Sequence, residues 1–347
     1  MSAQAALTHE APATTATRAA TMHAVVQDRY GTADVLRIAT IDRPTVVADD
    51  EVLVRVHASG IARGDWHLMT GRPFLVRAMG YGFRRPKEPV RGQDLAGTIE
   101  SVGGSVTDLK PGDEVYGWGR AAFAEYAVAR ASDLLPRPAR LSFEQAATVG
   151  ISGMTALQAV RDVAKAGPGM SVLITGAGGG VGTFAVQIAV AFGATVTGAA
   201  STPKLELVRS LGAVDVIDTT QEDFTASSRR WDVIIDTAGR RPLRKIRKVL
   251  APEGTLALVG GEGGDRVLGG FDRHFRAMAL SRFIRQDLRM VTAVERGEDL
   301  AALDALIEAG KVTPAVDRVF PLEDAVAAMR YHESGRPAGK VVLSAGS

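Results

Sequence analysis

The stretch "SVLITGAGGGVGTFAVQIAVAFGA", residues 171–194, constrains the fold more than any other part of the chain. A short apolar run enters a turn almost free of side chains, 176–182, and a longer apolar-periodic segment leaves it. Glycine there permits a tight turn and lets backbone N–H groups approach a ligand, and the helix beyond points the positive end of its dipole at the same place. Short apolar runs and helical segments then alternate: strands are expected at 172–175, 195–199, 214–218, 233–237 and 256–260, helices at 182–192, 203–211 and 242–250, and a sixth strand within 288–294. Nearly all-apolar strands in this alternation belong to a parallel sheet covered on both faces.

A glycine turn between the first strand and first helix of such a sheet is where dinucleotides bind. The strict G-x-G-x-x-G pattern fails at its first position, Ala177, whereas Gly179 and Gly182 fill the other two. Ala177, Gly179, Gly180, Val181 and Gly182 are therefore the expected pyrophosphate contacts. A site for the unphosphorylated ribose wants a carboxylate at the end of the second strand. That strand leads instead into Ser201, Thr202 and Lys204, with no acid where the carboxylate would stand. Two hydroxyls and an ammonium suit a phosphate, so NADPH is the expected cofactor. Ser201 or Thr202 ahead of Pro203 would equally serve as a helix N-cap, and the two roles are compatible.

Residues 22–129 have a different texture, with "MHAVVQD", "EVLVRVHA", "GTIESVGGSV", "DEVYGW" and "AEYAVAR" as short strands between Gly, Pro and Asp turns, as in a small barrel or sandwich. Length fits two domains. A net charge of +2 argues for neither nucleic acid nor an anionic membrane as partner. The absence of cysteine removes disulfides, thiolate nucleophiles and Cys-ligated zinc, and suits a reducing cytoplasm, the expected location. No apolar run is long enough to span a bilayer. The Ala/Thr-rich residues 1–21 read as a disordered tail. The loop 71–92 mixes aromatics with arginines and reads equally as a lid or as solvated surface. The basic run 240–250 reads as an amphipathic helix with its cations in water.

Over residues 22–345 the motifs "DRYGTADVL", "SGIARGDWHLMTGRP", "RGQDLAGTIESVG", "LKPGDEVYG", "AAFAEYAV", "GISGMTALQAV", "GAGGGVG", "STPKLELVRSLGA" and "GKVVL" follow one another in an order that resembles the medium-chain dehydrogenase/reductases, specifically their zinc-independent quinone-oxidoreductase-like branch. The resemblance implies an α/β fold: a GroES-like β-barrel catalytic domain at 22–148, completed by 299–347, and a Rossmann doubly wound parallel-sheet domain at 149–298. It further implies that Thr155, Thr237, Ala238, Gly260, Gly261 and Lys340 lie at the cofactor, and that Asp65 and Tyr30 face the cleft as candidate catalytic groups. Asp65 reads equally as the cap of a short helix.

Zinc-dependent members carry Cys at the position of Ala62 and Gly-His-Glu in the region of Gly92, Gln93 and Asp94, so no metal is expected. Related quinone reductases often have Asn at the position of Ala62; the alanine here offers neither ligand nor hydrogen bond, which leaves solvent to protonate the product. The implied activity is oxidoreductase: hydride transfer from NADPH to a small quinone or α,β-unsaturated carbonyl. A carbonyl or alcohol oxidoreductase and a non-catalytic NADPH-binding scaffold are the alternatives. A homodimer is left open, with 288–294 as the edge strand that would pair.

Overall fold

The computed structural model describes residues 20–46, 48–261 and 267–346. Of the expected tail only Ala20 and Thr21 fall within these, and Thr21 opens the first strand; the rest lies outside the described residues. The N-terminal portion contains β1 (Thr21–Val26), β2 (Arg37–Asp42), β3 (Glu51–Ile61), α1 (Arg63–Thr70), α2 (Phe74–Val76), β4 (Asp94–Val102), β5 (Glu114–Trp118), β6 (Tyr126–Arg130) and β7 (Leu134–Pro136). Two helices, α3 (Phe143–Ala146) and α4 (Gly150–Leu157), lead into β8 (Ser171–Thr175), α5 (Gly180–Ala191), β9 (Thr195–Ala200), α6 (Leu205–Ser210), β10 (Asp215–Asp218) and β11 (Trp231–Asp236). The chain closes with α7 (Leu243–Ile246), β12 (Leu250–Leu258), α8 (Phe271–Ser281), β13 (Asp287–Met290), α9 (Gly297–Glu308), β14 (Val316–Pro321), α10 (Ala325–Glu333) and β15 (Lys340–Ser344).

Two sheets organise these elements. The six-stranded one runs β10-β9-β8-β11-β12-β13, and its pairs are parallel throughout. This is the doubly wound Rossmann sheet. The seven-stranded one runs β14-β15-β3-β4-β5-β7, with β6 also on β3. It is the GroES-like unit, and its β15 pairs antiparallel with β3, Val341 opposite Ile61, although 280 positions of chain separate the two.

The sheet's apolar strands and α5 explain each other. Every residue of α5 from Gly182 to Ala189 is buried, because this helix packs between the sheet and α4. Its sequence is accordingly apolar nearly all round, the pattern of an interior helix.

Two local expectations fail. The helix expected at 242–250 stops at Ile246, because the Trp231 amide donates to Val249 O (2.9 Å) and Leu250 pairs with Trp231, so the chain is already strand by Leu250. Helix propensity yields here to sheet pairing. Helix α8 has no counterpart among the expected elements; its Ala277 and His274 are buried while Phe275 and Met278 are exposed, which blurs the apolar stripe that periodicity would reveal.

Candidate active site

In a strand order of β10-β9-β8-β11-β12-β13 the chain winds outward in both directions from the gap between β8 and β11. Such a switch point opens a crevice at the carboxyl ends of the strands. The glycine turn leaves β8 at that point. Gly176 has φ of +64°, a conformation that favours glycine. A Cβ on Gly182 would stand 2.1 Å from Gly176 O and 2.8 Å from Ala177 Cα, so α5 can approach the turn only without one. The first bond of α5 runs from the Thr183 amide to Gly179 O (2.9 Å). The amides of Gly180, Val181 and Gly182 precede it, no side chain caps them, and the first turn carries no acid. Such a helix start attracts an anion.

Beside it, Ser201, Thr202 and Lys204 follow β9. Ser201 occupies the N-cap position of the turn 202–204, but its side chain makes no cap bond. The Lys204 stem lies against the glycine turn: a Cβ on Gly178 would meet Lys204 Cβ at 2.7 Å. Its ammonium donates to Gly335 O (2.8 Å). Thr202 is placed differently. Its hydroxyl donates to Asp218 Oδ2 (2.6 Å) and lies 2.7 Å from Thr220 Oγ1. The expectation that no carboxylate lies near this turn therefore needs correction. Asp218 is distant in sequence, but β10 pairs with β9 in parallel and delivers the end of its strand alongside.

Between the two sheets, Lys340 is a buried cation. Its Nζ donates to Asp94 Oδ2 (3.2 Å) and Ser152 Oγ (2.9 Å), while Asp94 Oδ1 accepts from the Ile151 amide (2.7 Å). Its Cδ would stand 3.0 Å from a Cβ on Gly180. The adjacent Gly339 amide donates to Gly178 O (3.0 Å), so the last strand is tied to the glycine turn through its backbone. Burial pushes the Asp94 carboxyl up, against the pull of Lys340 and the Ile151 N–H. Thr155 lies on α4 with its hydroxyl donated to Ile151 O (2.7 Å).

On the β11 side, the Thr237 hydroxyl donates to Thr175 O (2.6 Å), and the Ala238 amide faces Thr175 Oγ1 at 3.4 Å. Asp236 is buried, accepts from Thr175 Oγ1 and the Gly239 amide, and is ion-paired with Arg273. Gly260 and Gly261 are at the end of β12, where a Cβ on Gly260 would lie 2.1 Å from Thr237 O. The expected cofactor residues that follow β8, β9, β11 and β12 therefore gather at the carboxyl ends of the strands, with Lys340 beside Gly180, whereas the Thr155 hydroxyl is bonded within its own helix. A surface hollow of about 740 Å³ beside Pro168, Asp232 and Glu253 lies at the opposite edge, where the strands begin.

Asp65 and Tyr30 have defined tasks in the fold. Asp65 is 1% exposed and sits in the first turn of α1, where its Oδ2 accepts from the Ala62 amide (2.8 Å). Among the described residues its Oδ1 has no hydrogen-bond partner. Burial pushes this carboxyl up to about 7, the Ala62 N–H pulls it down, nearby Asp94 pushes it further up, and Lys340 and Arg91 pull it down. The Tyr30 hydroxyl donates to Gly82 O (2.6 Å) and faces Tyr81 O (3.0 Å), and Arg77 stacks 4.3 Å from its ring centroid. Tyr30 thus fastens the loop 71–92, with its proton committed to that loop. Sequence reasoning missed Asp94, Ser152, Asp218 and Arg273, each of which meets its partner across a long stretch of chain.

Comparison with known proteins agrees with this geometry. The family model described as the alcohol dehydrogenase GroES-like domain matches residues 48–139, and the one described as zinc-binding dehydrogenase matches 211–343. The 2-methylene-furan-3-one reductase of Solanum lycopersicum is 32% identical over 330 residues, 90% of this chain and 76% of that protein. The chain is a medium-chain dehydrogenase/reductase. Within that superfamily it belongs to the quinone-oxidoreductase-like branch. The quinone oxidoreductase of Coxiella burnetii superposes with a TM-score of 0.82 at 27% identity, covering 94% of this chain and 99% of that one. The quinone oxidoreductase of Escherichia coli, in complex with NADPH, superposes with a TM-score of 0.78 at 25% identity, covering 93% and 99%. This is an oxidoreductase family. Among the described residues no helix is long and apolar enough to cross a membrane, and no three His, Asp or Glu side chains gather as a metal site.

Proposed function

We propose that this medium-chain enzyme is a zinc-independent, NADPH-dependent reductase of quinones or α,β-unsaturated carbonyls, working in the cytoplasm. The observation that carries the reading is the acid-free, uncapped start of α5, flanked by the Lys204 side chain and the unengaged Ser201 hydroxyl. The fit to a dinucleotide follows from the backbone: the missing Cβ atoms at Gly176 and Gly182 let the turn close against Thr237 and onto α5, whose first amides no side chain caps. The amides of Gly180, Val181 and Gly182 would hold the pyrophosphate, and Ser201 and Lys204 the adenosine 2′-phosphate. Thr202 supports the turn through Asp218. Thr155, Thr237, Ala238 and Gly260 would lie along the nicotinamide half. Bound dihydronicotinamide supplies a hydride.

The protein's own contribution is placement and exclusion of water. A conjugated acceptor spreads the incoming charge itself, so neither a thiolate-held Lewis acid nor a strong oxyanion donor is required. Position 62, an alanine, offers no polar side chain to that acceptor. Asp65 is buried in the first turn of α1 and acts as a positioning residue that holds the Ala62 backbone, while water supplies the proton. Relatives that reduce an enone and quinones support the substrate class.

The test is oxidation of NADPH and NADH with a small quinone and with an enone, each with and without chelator. Turnover at least about tenfold more efficient with NADPH and indifferent to chelator is the expected result. Tight NADPH binding without turnover on either acceptor would favour the scaffold alternative, and activity lost to chelator would refute the metal-free mechanism.

A further inference from the structure

The basic run that begins at Arg240 holds a second surprise besides its short helix. Arg241 is spoken for: its Nε stands 3.5 Å from Asp223 Oδ1, and its guanidinium faces the ring of Phe224. Arg240 points elsewhere. It follows Gly239, whose φ of +64° turns the chain back and whose amide donates to Asp236 Oδ1 (3.1 Å). Its Nη2 comes within 3.8 Å of the Cβ position of Gly335, the residue whose carbonyl accepts from Lys204 Nζ at 2.8 Å. Two cations, one from the end of β9 and one from the end of β11, thus converge on a single glycine.

This convergence is costly in the absence of a ligand. Burial lowers the Lys204 pKa, Asp317 opposes that, and Arg240 lowers it further, as a neighbouring like charge does. Asp317 is already the acceptor of the Tyr331 hydroxyl (2.8 Å), and Asp218 that of Thr202. Among the described residues Arg240 has no hydrogen bond or ion pair with either. An exposed guanidinium with no hydrogen bond or ion pair among the described residues, held beside a second cation at a strand's carboxyl end, is arranged for a dianion.

We propose that Arg240 is a specificity-determining residue that grips the adenosine 2′-phosphate of NADPH together with Ser201 and Lys204. The proposal rests on the NADPH reading above but adds a residue from a different strand, one that a search of the turn after β9 does not find. It makes discrimination between the two dinucleotides a property of the β9 and β11 ends jointly. Because the head group is exposed, the interaction weakens as salt rises.

The test is calorimetric titration of the full chain with 2′,5′-ADP and with ADP, with no acceptor present, for the unmodified protein and for Arg240→Ala, Arg240→Lys and Lys204→Ala. The unmodified protein should bind 2′,5′-ADP at least about tenfold more tightly than ADP; Arg240→Ala should lose about tenfold for 2′,5′-ADP and nothing for ADP, and Arg240→Lys should keep part of the preference. Arg240 is exposed and unbonded, so its removal leaves the fold intact, which unchanged ADP affinity verifies. If Arg240→Ala keeps the full preference while Lys204→Ala loses it, the Arg240 proposal is overturned and the NADPH reading stands. Equal affinity of the unmodified protein for both nucleotides overturns both.

Discussion

Asp65→Asn separates a stored proton from a structural carboxylate. In the native protein Asp65 is buried, accepts from the Ala62 amide through one oxygen, and has no partner at the other. Its pKa stands near 7 against an ordinary value of 3.8. That difference of about three units corresponds to at most about 4 kcal/mol. Because the folded pKa is the higher one, the folded state holds a proton that the unfolded state has released. Stability contributed by this group is therefore complete below about pH 4, and is lost as pH rises towards about 7. Asparagine never titrates; its carbonyl oxygen can accept from Ala62, and its amide replaces the orphaned oxygen. Urea titrations of both proteins from about pH 4 to about pH 9 should show Asp65→Asn gaining on the native protein by about 1.4 kcal/mol per pH unit at most, then running parallel above about pH 7. A difference that does not vary with pH would refute the reasoning. Turnover of the variant should stay within a few-fold of native, since water supplies the proton.

Other perturbations follow from the same geometry. Gly182→Ala places a methyl 2.1 Å from Gly176 O, against backbone that cannot swing away, and should lower the melting temperature and weaken NADPH binding at least tenfold by fluorescence titration. Lys340→Met strips Asp94 and Ser152 of their buried cation and should cost about 3–5 kcal/mol in urea unfolding, with Asp94→Leu added to it recovering part of that loss. A Lys340→Met protein as stable as the native one would show that the pair carries no net energy.

The legible parts of this molecule are those whose partners are close in sequence. The passage from β8 through the glycine turn into α5 is continuous chain, and its glycines announce the turn. Ser201 and Lys204 were readable because they directly follow β9. Asp218 was not, since only the parallel pairing of β10 with β9 brings its carboxylate to Thr202. Arg240 was concealed within a run of cations that resembles a solvated helix face, and only the fold distinguishes it, at Gly335, from Arg241, at Asp223. Asp65 was readable as a residue of a helix start, but the burial that raises its pKa is a property of the folded chain, as is the approach of the Asp94 charge from β4 that raises it further. The early end of α7 belongs to the same class of miss, because Trp231 decides it from a neighbouring strand.

The most direct test of the central claim is a single turnover with NADPH deuterated at the transferable position and a small cyclic enone, the product being analysed by mass spectrometry and NMR. The account predicts a saturated ketone with one deuterium on the former β-carbon and a solvent hydrogen on the α-carbon. Deuterium on the carbonyl carbon of an allylic alcohol would contradict it and assign the chain to carbonyl reduction, and a product without deuterium would remove hydride transfer from the account altogether.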